Sequence, residues 1–86
     1  IYRDIYCIYM PVVLSFNGVK VKVNARDHNP PHVHVEGKGG KARFNLLTLT
    51  WMNSRGFTQS DLNYIEGRIL ARMDEIKAMW SEYHGD

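Results

Sequence analysis

The chain has one cysteine, Cys7, among its 86 residues, so no internal disulfide can staple it, and packing or a partner must supply its stability. Such sparing use of cysteine fits a reducing compartment. No apolar run approaches the roughly 20 residues needed to span a bilayer. The opening "IYRDIYCIYM" carries Arg3 and Asp4 and has no clean apolar centre, which argues against a secretory leader. Charge of one sign is also scarce. A net charge of +2 permits contact with nucleic acid without demanding it. Together these absences leave a cytoplasmic protein, near the size at which one core suffices for one domain.

The patterned sequence begins at Pro11, and Met10 is a natural start. Ile1 to Tyr9 then read as an extension, with residues 10–86 forming a single domain. "PVVLSF" is rich in strand formers, and Asn17-Gly18 is the strongest short hairpin signal. In "VKVKVN", Val19, Val21 and Val23 point to one face, with Lys20, Lys22 and Asn24 on the other. "HVHVE" sets Val33 and Val35 against His32, His34 and Glu36. "GKGG" reads as a turn into "KARFNL", where Ala42, Phe44 and Leu46 face inward and Lys41 and Arg43 outward. "LTLTWM" extends that strand or adds a short one, and "NSRGF" reads as a break.

A helix follows. Thr58 is placed as its N-cap, with Asp61 at the third position in an acidic variant of the capping box. Phe57 and Leu62 are spaced for a hydrophobic staple. Leu62, Ile65, Ile69, Met73, Ile76, Trp80 and Tyr83 recur in steps of three and four and define one apolar face. Gly85 is a plausible stop. A single helix here runs about 25 residues, or about 38 Å, longer than a small sheet covers. Either it kinks, with Gly67 the natural place, or its end packs on a second chain. The expected architecture is α+β: an antiparallel meander of about four strands with a long C-terminal helix on one face.

The outward set then gathers Lys20, Lys22, His32, His34, Lys41 and Arg43 against one acid, Glu36. An antiparallel sheet often leaves one face to water, but a merely solvated face usually mixes signs. The basic bias suits a phosphate backbone. The same face lacks the exposed aromatics on which single-strand binders stack bases.

"DHNPPHVHV" packs His28, His32 and His34 into seven positions around Pro30-Pro31. His32 and His34 at i and i+2 of a strand share a face, about 6–7 Å apart. Three readings stay open. The pair can ligate a divalent metal such as zinc, with His28 or Asp27 as a third ligand, although the neighbouring cations oppose it. It can serve as acid and base in RNA cleavage, with Lys or Arg stabilising the phosphorane. Or the prolines simply stiffen a turn and the histidines are strand surface. "GKGGK" matches no nucleotide-binding loop, because it does not lead into a helix.

The run "MPVVLSFNGVKVKVNARDHNPPHVHV", a glycine-rich turn, "RGF" and a helix ending "MWSEYHG" resemble a family of short bacterial proteins known as domain of unknown function 4160. Asp27, His28, Pro30, Pro31, His32, His34 and Val35 match its D-H-x-P-P-H-x-H-V signature, and Trp80 and His84 match its helix end. The resemblance implies a bacterial cytoplasmic protein whose gene sits beside another small gene, in an arrangement like a toxin–antitoxin pair. It brings no catalytic residues. The expectations are therefore three. The first is a module of such a pair, contacting RNA or DNA through Lys20, Lys22, Lys41 and Arg43, and a small protein partner or second copy through its helix. The second is a ribonuclease toxin using His32 and His34. The third is a structural dimer with no nucleic-acid role.

Overall fold

The computed structural model describes residues 12–24 and 30–84. The expectations for Ile1 to Tyr9, Met10, Asp27, His28 and Gly85, and for the Tyr83 and His84 side chains, lie outside the described residues.

Alternation drives the sheet. β1 (Val12–Phe16) turns through Asn17-Gly18 into β2 (Val19–Lys22). Asn17 at φ 46° and Gly18 at φ 78° supply the two left-handed residues that let a two-residue hairpin match the twist of its strands. β3 (His32–Gly37) and β4 (Gly40–Asn45) are joined by Lys38-Gly39, which repeats that conformation. β5 (Thr50–Arg55) follows a turn organised by Asn45. The Asn45 side-chain oxygen accepts from the amides of Leu47 at 2.7 Å and Thr48 at 2.9 Å, as asparagine does when it shapes a turn.

The strands lie in the order β1-β2-β3-β4-β5, with every neighbouring pair antiparallel. The sheet therefore has five strands rather than about four. "NSR", read from sequence as a break, is the second half of β5. The alternation is disguised there because Phe44 pairs with Trp51 but Arg43 pairs with Asn53, leaving Met52 as the extra residue of a bulge. A second shift falls between Val12 and Leu14 in β1.

The long apolar face is carried by two helices, α1 (Gln59–Ala71) and α2 (Met73–His84). Thr58 caps α1 with both arms of the box in place. Its hydroxyl accepts from the Asp61 amide at 3.0 Å, and the Asp61 carboxylate accepts from the Thr58 amide at 3.0 Å. The kink falls at Arg72, not at Gly67, which sits exposed within α1. Arg72 leaves helical geometry at φ −121° and ψ 25°, and its amide bonds back to Ile69 and Leu70. Asp74 and Glu75 then open α2, where the helix dipole favours acids, and Glu75 pairs with the Arg72 side chain. The bend lets both segments lie on a short sheet, so the length of the helix no longer calls for a second chain.

The core forms between these layers. Val21, Val23, Val33, Val35, Phe44 and Leu46 from the sheet and Ile65, Ile69, Ile76 and Trp80 from the helices are almost wholly removed from solvent. Each such side chain contributes about 1.5–3 kcal/mol by burial. The opposite face of the sheet carries the alternate side chains, Lys20, Lys22, His34, Glu36, Lys41 and Arg43 among them.

Candidate nucleic-acid interface

Register decides what shares the open face. Lys20 pairs with Glu36, Glu36 with Lys41, and Lys41 with Arg55. Two residues along, Lys22 pairs with His34, His34 with Arg43, and Arg43 with Asn53. These are two parallel rungs across four strands, about 7 Å apart. Lys20, Lys22, His34, Lys41 and Arg43, named from alternation alone, are thus brought together. Arg55 and Asn53 join them from β5, and sequence reasoning missed both because it ended the strand early. Continuing the period of two past Met52 with one residue skipped would have found them.

Glu36 is the one acid on this face among the described residues. It pairs with Lys22 across the diagonal. The Lys22 ammonium hydrogen-bonded to it holds the Glu36 carboxyl below its usual range. Slight burial opposes that shift, while Lys41 and Lys20 add to it through their charge. Arg43 is oriented from the other side. With its amide turned so that the oxygen meets the guanidinium, Asn53 accepts from Arg43 Nη2 at 2.8 Å and Nε at 3.2 Å, an assignment made from the hydrogen-bond pattern. Asn24, His34, Glu36, Lys41, Arg43 and Asn53 line a shallow depression.

His32 departs from the expected solvent-facing pair. It is 5% exposed, because the last turns of α2 reach the start of β3 and set Trp80 against it. The ring centroids of His32 and Trp80 lie 5.7 Å apart, and those of His32 and His34 lie 5.1 Å apart. His32 Nδ1 donates to the Pro30 carbonyl at 2.8 Å, so in the neutral ring Nε2 is the acceptor, and that atom is buried. The prolines do more than stiffen the turn, since the Pro31 carbonyl accepts from the Leu46 amide at 2.8 Å and ties the start of β3 to the end of β4.

As to metal, no three His, Cys, Asp or Glu side chains converge among the described residues, and the expected third ligands, His28 and Asp27, lie outside them. No helix among the described residues is long and apolar enough to cross a membrane.

Fold and face together define a small α+β protein, one side of whose sheet is a basic, hydrogen-bonding platform. Residues 18–81 match the family described as a domain of unknown function, DUF4160, and the chain belongs to that family. No curated protein and no solved structure matches it.

Proposed function

We propose that the open face of the sheet binds the phosphate backbone of nucleic acid, with Lys20, Lys22, Lys41, Arg43 and Arg55 as the contacts. One observation carries this reading: five cations from three strands are placed by register around a single carboxylate. Such a set neutralises phosphates and releases counterions. In this reading the protein works in the cytoplasm as a member of a toxin–antitoxin-like pair. Its helical layer, where Tyr64 and Leu70 stay exposed on α1, meets the partner protein or a second copy.

The test is binding of labelled RNA and DNA across a salt series. Log affinity should fall linearly with log salt, and Lys41→Ala with Arg43→Ala should flatten that slope by about 2. Salt-independent binding, or none, would sink the proposal.

A ribonuclease reading rests on the 5.1 Å separation of the His32 and His34 rings. Burial of His32 weighs against an acid–base pair open to substrate, while His34 keeps partial access to solvent. Labelled RNA incubated with the protein, with His34→Ala, and with chelator decides the matter. Cleavage abolished by the substitution would make His34 part of an active site. The chelator would then decide between a metal, if it stops cleavage, and imidazole chemistry, if it does not.

A further inference from the structure

The cations on the open face are not spread evenly. They form two banks, Lys20 and Lys22 on β2, and Lys41, Arg43 and Arg55 on β4 and β5. Between them runs β3, whose outward residues are His34 and Glu36. Neighbouring strands are about 4.8 Å apart, so the banks stand about 10–14 Å from each other. That distance is of the order of a nucleic-acid groove, roughly 6 Å for the minor and 12 Å for the major groove of B-form DNA.

We infer that this face takes a duplex rather than a single strand, and that Glu36 sets the preference. The inference rests on the backbone-binding reading above. In a duplex, two rows of phosphates flank a groove, and two banks of cations flanking β3 meet one row each. The Glu36 carboxylate, on the strand between the banks, then lies under the groove, where it is turned to Lys22 rather than to a phosphate. A single strand following the centre of the face would instead bring its phosphates over Glu36. It would also find no surface on which to stack its bases. Phe16, Phe44, Trp51, Phe57 and Trp80 belong to the core or pack against it. His32 is buried against Trp80, which leaves the His34 ring as the one on this face among the described residues. Bases are therefore best left paired, with the backbone read from outside. Asn53 steadies the arginine of the β4 bank, and Glu36 steadies Lys22 of the β2 bank, so each bank has one cation held by a polar neighbour.

The test is competition at one salt concentration between a short RNA duplex, a DNA duplex of the same sequence, and the single strands of each, against the full chain and Glu36→Gln. A duplex of either kind should bind at least about tenfold tighter than its strands, since a strand leaves one bank of phosphate contacts unused. The DNA duplex, whose grooves match the spacing of the banks, should bind tightest, and an RNA duplex ahead of it overturns that match. Glu36→Gln should raise single-strand affinity several-fold more than duplex affinity and so erode the preference. Circular dichroism of the variant checks that the sheet is intact, and Glu36→Asp should keep most of the preference. Equal or tighter binding of single strands overturns the duplex inference while leaving backbone binding in place. A preference unchanged in Glu36→Gln overturns the role of Glu36. Absence of binding to all four probes overturns both this inference and the reading beneath it.

Discussion

The imidazole of His32 lies against the indole of Trp80, 5.7 Å between ring centroids, and so fastens the beginning of β3 to the last turns of α2. The contact joins residues far apart in sequence, and it places the histidine where packing governs its behaviour. Trp80→Ala should cost about 3–5 kcal/mol of stability, the usual penalty for emptying a large aromatic site. His32→Ala should cost about 1–3 kcal/mol, through lost packing and a Pro30 carbonyl deprived of its donor. Urea unfolding measures both. If His32→Ala unfolded at the wild-type midpoint, the ring would have no part in holding the fold.

Acid should weaken the fold through two carboxyls. The Lys22 hydrogen bond holds Glu36 below its ordinary 4.5, and hydrogen bonds from the Thr58 backbone and side chain hold Asp61 below its ordinary 3.8. The folded state thus binds these protons more weakly than the unfolded chain does. Their contribution is complete above the unfolded values and drains as pH falls through the lower folded ones. Thermal midpoints should be flat on this account from neutrality to about pH 5 and fall below about pH 4.5. Thr58→Ala should lower stability by about 1 kcal/mol at neutral pH and shrink the acid-side fall. An unchanged acid limb in that variant would leave the Thr58 amide, which alanine keeps, as the group that holds Asp61 down.

Two glycines should respond in opposite directions. Gly37 sits at φ 146°, and a β-carbon there would stand 2.2 Å from the Gly18 carbonyl oxygen and 2.8 Å from Val19 Cα. Because the obstacle is backbone, Gly37→Ala should separate β2 from β3 locally and cost upwards of about 2 kcal/mol. Gly67 is helical with open space around it. Gly67→Ala should therefore stabilise by about 0.5–1 kcal/mol through helix propensity and a less disordered unfolded state. Melting curves of the two variants should lie on either side of wild type.

Asn53→Asp should separate binding from stability. A carboxylate beside Arg43 strengthens that hydrogen bond but cancels the charge offered to phosphate. Affinity for nucleic acid should drop by roughly tenfold at moderate salt, with the unfolding midpoint held or raised. Unaltered affinity would show that Arg43 lies outside the contact.

Much of this arrangement is legible in the sequence. The valines of "VKVKV", the alternation of "KARFN" and the Asn17-Gly18 turn place five of the six expected outward side chains together in the open, because a period of two admits only one assignment of faces. The misses have local causes. His32 obeys the alternation, but its cover comes from Trp80, distant in sequence, and no local pattern reports that. β5 was cut short because Met52 breaks the alternation, and Asn53 and Ser54 look like turn formers. Gly67 attracted the kink because glycine is a poor helix former. Yet a single exposed glycine costs only about 1 kcal/mol and need not break a helix, while Asp74 and Glu75 after Arg72 mark a fresh N-terminus.

The two bulges, at Val13 in β1 and Met52 in β5, fall on the two outermost strands of the described sheet. A straight outermost strand offers a regular ladder of unmet amides and carbonyls onto which another molecule's strand can polymerise. An extra residue in that ladder twists it and spoils its repeat. Edges broken in this way resist strand-on-strand growth when copies of the chain are concentrated, where straighter edges would begin to knit into fibrils.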